Sequence, residues 1–155
     1  MRKNKGIKRR VPTPDYKYNN PIVSKFINYL MSDGKKNVAR TVVYDAFDIV
    51  AEKTKKDPME IFDEALKNVS PQVEVKSKRV GGANYQVPMQ VKGERRMMLA
   101  MRWMREAAQT KKGRPMRERL ADELIAAAKN EGDAVRKKEN TERMAAANKA
   151  FAHFA

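Results

Sequence analysis

Residues 73–88 read VEVKSKRVGGANYQVP, and the fold around them turns on what the two adjacent glycines, Gly81 and Gly82, are for. A phosphate-binding loop needs G-x-x-x-x-G-K-[ST], so that backbone N–H groups wrap the phosphates while Lys and Ser/Thr reach the end oxygens and the metal. A dinucleotide fingerprint needs three spaced glycines that open a helix after a strand. Here Ala83-Asn84-Tyr85 follows and the pattern stays strand-like, so neither motif is present. Glycine enters the φ > 0 conformations of hairpin turns without strain, and the pair is predicted to turn a hairpin.

On the first strand Val73, Val75, Ser77 and Arg79 alternate with Glu74, Lys76 and Lys78; on the return Tyr85, Val87, Met89 and Val91 alternate with Gln86, Pro88 and Gln90. A strict two-residue turn would set Val80 opposite Ala83 and put Val73 and Val75 on the face away from Tyr85, Val87 and Met89. A three-residue loop, Val80-Gly81-Gly82, pairs Val75 with Val87 and Val73 with Met89 and gathers five apolar side chains on one face. The apolar pattern therefore predicts the odd loop, with a bulge. Lys76, Lys78, Asn84 and Gln86 then share the opposite face, with Arg79 at the tip. A two-stranded ribbon is marginal alone, so the apolar base anchors it and the polar tip projects as a basic finger, with Tyr85 free to stack or to pack.

On either side the hydrophobic period is helical. Asn20-Pro21 reads as an N-cap followed by proline in the first turn, and Ile22, Phe26 and Leu30, flanked by Val23, Ile27 and Met31, continue a helix that Gly34 ends. A second helix over about 35–56 is predicted to bury Val38, Val42, Val43, Ala46, Phe47 and Val50. Asp57-Pro58 repeats the cap, and Ile61, Phe62, Ala65, Leu66 and Val69 make a third helix ended by Ser70-Pro71. Helices follow over about 94–110, 115–129 and from Asp133, a plausible N-cap, into the alanine-rich tail. The expected fold is mainly α: a six-helix domain over 21–155, a protruding β-hairpin arm at about 72–91 between the third and fourth helices, and an extended basic N-terminal arm over 1–20 without its own core.

The formal net charge of +15 is segregated. Residues 1–20 carry seven Lys or Arg against one acid and residues 72–119 thirteen against four, while 21–71 and 120–155 balance. Segregated basicity makes a surface with a sign, and its usual partner is a polyanion. No basic helix has the strongly apolar opposite face of an interfacial membrane anchor, and no apolar run approaches the roughly 18 residues of a membrane span. Nucleic acid is the expected partner, RNA or, as the alternative, DNA bound architecturally.

In the fourth helix Met97, Ala100, Met101, Met104, Ala107 and Ala108 form an apolar arc that reads as core. Arg95, Arg102 and Arg105 lie on a neighbouring arc with a single acid at i,i+4, Glu106 after Arg102, so the stripe keeps an excess of positive charge that points to phosphate contact, and Arg96 falls elsewhere. Trp103 points away from the main arc, toward a secondary core or an interface. No cluster of His, Cys and carboxylates has metal-ligand spacing, and neither a cofactor loop nor a catalytic constellation is present. There is no cysteine, and the one histidine, His153, sits in apolar AFAHF and reads as packed. The carboxylates lie singly among lysines, as on solvated helix faces. No enzyme activity is expected.

Four stretches, KFINYLMSDGKK at 25–36, VEVKSKRVGGANYQVP at 73–88, ERRMMLAMRWM at 94–104 and MAAANKAFAHF at 144–154, closely resemble the bacterial-type small-subunit ribosomal protein seven family. The resemblance implies a structural constituent of the small ribosomal subunit in the cytoplasm. It implies a primary binder of the 3′ major domain of small-subunit rRNA that nucleates assembly of the head, near the exit-site tRNA and the messenger exit, with small-subunit ribosomal proteins nine and eleven as neighbours and no membrane partner. In that family the N-terminal arm, the hairpin and the fourth helix touch RNA. Carried onto this sequence, the RNA-binding candidates are Arg2, Lys3, Lys5, Lys8, Arg9 and Arg10 in the arm and Lys35 and Lys36 at the start of the second helix. Lys76, Lys78, Arg79, Asn84 and Tyr85 follow on the hairpin, and Arg95, Arg96, Arg102 and Arg105 on the fourth helix. Gly93, Lys78, Glu142 and Ala146 depart from the proline, arginine, histidine and glutamate common at those positions. The sequence ends at Phe154-Ala155 without the aromatic-basic residues usual there, which leaves C-terminal contacts unassigned.

Overall fold

Asn20 and Asp57 start helices by the chemistry their positions dictate. The Asn20 side chain accepts a hydrogen bond from the Ile22 N–H at 2.7 Å and Asp57 accepts one from Met59 at 3.0 Å, each satisfying a backbone donor that the first turn leaves orphaned. In the computed structural model, which describes residues 12–154, these caps open α1 (Pro21–Leu30) and α3 (Pro58–Val69), with α2 (Lys36–Thr54) between them. Strands β1 (Val73–Val80) and β2 (Ala83–Gln90) follow, then α4 (Gly93–Thr110), α5 (Met116–Ala128), α6 (Asp133–Ala147) and a 3-10 turn over Lys149–Phe154. α1 ends four residues before Gly34, and the chain turns back through Asp33 and Gly34 at φ 52° and 73°.

Helix α5 packs against α2, α3 and α4, α1 lies on α2 and α4, and α6 touches α4, α3 and the hairpin. Phe26, Phe47 and Phe62 are fully buried, with Phe62 centred 5.2 Å from Phe26 and 5.3 Å from Phe47. Such tilted ring pairs contribute about 0.5–1.5 kcal/mol each beyond the area they bury. Trp103 and Leu99 join the core cluster, so α4 is apolar over a wider arc than the methionine stripe alone.

The second helix corrects one expectation. Val43, Ala46, Phe47 and Val50 are buried and Val42 half-buried, but Val38 is 61% exposed, and Ala39 and Tyr44 take up the core positions instead. The chain preceding α1 is docked as far back as Asp15. The Asp15 carboxylate, 6% exposed, accepts the Tyr44 hydroxyl at 2.5 Å and the N–H groups of Lys17 and Tyr18, while the Tyr18 ring packs edge-on to Phe47.

The hairpin register is the larger correction. The turn has two residues, not three: Val80 pairs with Ala83, Lys78 with Tyr85, Lys76 with Val87 and Val75 with Pro88. Gly81 and Gly82 both have positive φ, 57° and 87°, the backbone of a tight hairpin turn whose twist matches the strands. Lys76 and Lys78 therefore share a face with Tyr85 and Val87, while Asn84 and Gln86 lie opposite with Ser77 and Arg79. The all-apolar face that favoured the odd loop is not needed, because the mixed face has partners from distant sequence. Phe151 and Phe154 of the 3-10 turn contact the Tyr85 ring at 5.1 and 5.2 Å, and the Lys78 ammonium donates to the Phe154 carbonyl.

At the α5–α6 junction, Glu123 is fully buried, contrary to the expectation that the carboxylates lie on solvated faces; Glu74 and Asp15 are buried as well. One Glu123 oxygen accepts the Ala134 N–H at 2.9 Å and the other the Lys111 ammonium at 2.5 Å. Asp133 does not cap α6. The N-cap position is Gly132, at φ 97°, and Glu123 reaches across from α5 to hold the first turn.

Candidate nucleic-acid interface

With one long arc of α4 committed to the core, its arginines are confined to the margins, where each meets a neighbouring element. The Arg95 guanidinium donates through Nε and Nη2 to Glu74 of β1 at 3.2 and 3.0 Å, and Lys76 pairs with the other oxygen of Glu74 at 3.0 Å. Arg95 thus has an acidic partner after all, supplied by the hairpin and not by its own helix. Burial pushes the Glu74 carboxyl up, but the hydrogen bonds and charges of Lys76 and Arg95 outweigh it and hold the group below its ordinary value. Arg96 Nε donates to the Pro71 carbonyl at 3.1 Å, tying α4 to the chain that enters β1.

Further along α4, the exposed Arg102 guanidinium lies 5.8 Å from the centre of the Tyr29 ring, and Arg105 Nη1 donates to the Tyr29 carbonyl at 3.1 Å. Arg105 Nε is buried without a hydrogen-bond partner among the described residues. No acid pairs with Arg102 or Arg105 among the described residues. On the other flank of α1, Ser24 and Ile27 line a cleft shared with Thr13, Pro14, Asp15, Tyr16, Lys36 and Arg40, in which the Asp15 carboxylate accepts from the Tyr44 hydroxyl and the Lys17 and Tyr18 N–H groups and forms no ion pair with Lys36 or Arg40 among the described residues. The Arg40 guanidinium sits 5.3 Å from the Tyr16 ring centre. Lys35 and Lys36 are exposed and make no ion pair among the described residues. Helix α1 therefore touches two groups of cations: Arg102 and Arg105 through Tyr29, and Lys36 and Arg40 where the N-terminal segment joins the domain. Arg40 was not singled out from sequence, although it falls one helical turn after Lys36 and so on the same face.

The hairpin candidates divide. Lys78 and Tyr85 are engaged by the 3-10 turn and Lys76 by Glu74, whereas Arg79 and Asn84 are exposed and directly paired across the strands. They stand about 17 Å up the strands from Glu74, five residues at the rise of a β-strand. Arg2, Lys3, Lys5, Lys8, Arg9 and Arg10 lie outside the described residues. His153 is exposed, but its ring is centred 4.0 Å from that of Phe154 and its Nδ1 lies 2.8 Å from the Ala150 carbonyl oxygen. Among the described residues no group of three or more His, Asp or Glu side chains could hold a metal ion, and no helix is long and apolar enough to cross a membrane.

Fold and charge define a class of protein: mainly helical and basic, with a hairpin between the third and fourth helices and unneutralised cations spread over a surface. The chain belongs to the family described as Ribosomal protein S7p/S5e, whose model matches residues 1–149. It is similar to the Small ribosomal subunit protein uS7 of Thermotoga maritima, 56% identical over 154 residues covering 99% of each chain. The proteins of that name from Thermotoga petrophila and Acidithiobacillus ferrooxidans are 56% and 53% identical over the same share. These relatives are named as ribosomal proteins, not enzymes.

Proposed function

We propose that this protein is a structural constituent of the small ribosomal subunit in the cytoplasm and binds its rRNA directly, as a primary binder of the 3′ major domain that nucleates the head. The same reading sets it near the exit-site tRNA and the messenger exit, beside small-subunit ribosomal proteins nine and eleven. The observation that carries the RNA contact is the pair of unneutralised cation groups flanking α1: Arg102 and Arg105 on one side, Lys36 and Arg40 on the other. Guanidinium groups already lying over the Tyr29 and Tyr16 rings are partly positioned for phosphate or base contact, which lowers the further cost in side-chain entropy. Six further cations, Arg2, Lys3, Lys5, Lys8, Arg9 and Arg10, stand in the sequence of the arm, and Arg79 and Asn84 add exposed polar groups on the hairpin.

Docking of this kind is dominated by phosphate neutralisation, with selectivity from RNA shape and from unpaired bases in loops and junctions. Roughly six to ten phosphate contacts make affinity fall steeply with salt. Filter binding across a salt series, with a head-domain rRNA fragment and a duplex DNA control, tests the reading. A steep slope with clear preference for the rRNA supports it; equal affinity for the two overturns it. Co-sedimentation with small subunits in a cell extract tests the assembly.

A further inference from the structure

The 3-10 turn over Lys149–Phe154 lies on the hairpin without burying any of its own residues. It leaves α6 at Asn148 and rests on β2 and the end of α6. Two hairpin groups are engaged by it. The Tyr85 ring meets the rings of Phe151 and Phe154 at 5.1 and 5.2 Å, and the Lys78 ammonium donates to the Phe154 carbonyl. Lys78 and Tyr85 are paired across the strands, while Arg79 and Asn84, one pair nearer the glycine turn, stay exposed.

These contacts have the chemistry of a bound nucleotide. Flat rings lie against Tyr85 where an unpaired base stacks, and an oxygen receives Lys78 where a phosphate oxygen sits. The internal version of the second contact is the weaker one, because an ammonium bonds a neutral carbonyl less strongly than a phosphate. Lys78 forms no ion pair among the described residues, and residues 149–154 contain no carboxylate to make one. A turn with no buried side chain belongs to the low-stability part of a structure, from which opening segments are drawn.

We propose that residues 149–154 are an autoinhibitory cover, which occupies Tyr85 and Lys78 in the free protein and is displaced when RNA takes those two groups. The proposal rests on the RNA-binding reading and adds a competition within the chain. An RNA with an unpaired base at Tyr85 and a phosphate at Lys78 replaces both internal contacts at once. A duplex, whose bases are already stacked, replaces only the one at Lys78. Apparent affinity is lowered by the fraction of chains in which the turn is open.

The full-length chain carrying Phe151→Ala and Phe154→Ala together is titrated against the head-domain rRNA fragment and a duplex DNA control at several salt concentrations. Lys149 is kept, so no cation is lost. Neither ring belongs to the core cluster, so the fold holds, which circular dichroism verifies. Removing the rings is expected to tighten rRNA binding about three- to tenfold with an unchanged salt slope. The gain should vanish in a Tyr85→Ala background, where the rings have nothing to release. Lys78→Ala should lower the slope by about 0.7–1. In the otherwise wild-type chain, a fluorinated phenylalanine at position 154 should shift to the resonance of a solvent-exposed ring when rRNA binds. Affinity at or below wild type in the double variant, with the rRNA preference intact, overturns the cover alone. So does a gain that persists without Tyr85, an unchanged slope in Lys78→Ala, or a fluorine resonance that stays in place. Loss of the rRNA preference in the wild-type chain overturns the underlying reading and the cover with it.

Discussion

Replacing Glu123 by alanine tests the most consequential buried charge in the domain. Glu123 is fully buried, holds the Ala134 N–H at 2.9 Å and pairs with Lys111 at 2.5 Å. A hydrogen bond from a backbone donor to a charged acceptor contributes about 1.5–3 kcal/mol, and a carboxylate at a helix N-terminus adds about 0.3–1 kcal/mol. The Lys111 pair adds less, because its side chain is 35% exposed and regains water once the partner is gone. The total loss is about 3–4 kcal/mol, within reach of what breaking a buried pair costs, and at this chain length it lowers Tm by about 6–16 °C. Glu123→Gln keeps an acceptor for Ala134 and should lose only about 1–2 kcal/mol. Urea unfolding followed by Trp103 fluorescence reads both, with an unchanged m-value showing that the midpoint shift is a stability change. A Glu123→Ala midpoint within about 1 kcal/mol of wild type, or a glutamine variant as damaged as the alanine one, refutes the reasoning.

Gly132→Ala places a Cβ 2.8 Å from Glu123 Oε1 at a φ of 97°, so it should cost about 2 kcal/mol or more, and less in the Glu123→Ala background, where only backbone strain remains; a double-mutant cycle in urea measures the difference. Tyr44 has its hydroxyl pKa raised by burial and by the hydrogen bond and charge of Asp15. Its neutral form is favoured by folding, so that stability is intact below the unfolded value near 10 and lost as pH rises above it. Tyr44→Phe should flatten the alkaline limb of a midpoint-against-pH curve. Glu74 titrates below its ordinary 4.5, so its contribution is present above that value and lost as pH falls through the lower folded one. Glu74→Gln should remove this acid limb, and amide exchange at the hairpin base should show it.

What the sequence discloses and what it hides differ by the distance over which a residue finds its partner. The caps at Asn20 and Asp57, the core faces of α1, α3 and α4 and the change of period at Val73 are set by residues within a turn or two, and they are legible. Glu123 looks like a solvated carboxylate because nothing near it in sequence shows that α6 will begin against it. Val38 fits the apolar period of α2 but lies just past the edge of the surface that the core covers. The hairpin register goes against local apolar matching because its mixed face is satisfied from elsewhere: Glu74 by Arg95, and Tyr85 by aromatic rings some 65–70 residues later. Paired positive-φ glycines carried the correct information, and their turn chemistry outweighed the apolar count. For the interface, the arginines of α4 were visible as a stripe, but Arg95 being neutralised by the hairpin was not.

The 3-10 turn on the hairpin also sets an order of events during synthesis. The strands are complete when residue 90 has been made, yet the aromatic rings that cover Tyr85 and the carbonyl that receives Lys78 come from residues 151–154. At about 5–20 residues per second, roughly 3–12 s pass between the two. Throughout that interval the ribbon has its glycine turn and, once α4 exists, the Arg95–Glu74 clasp at its base, but no cover on its outer half. The distal hairpin is therefore among the last parts of the chain to settle, and a ligand that arrives early meets Tyr85 and Lys78 still uncovered.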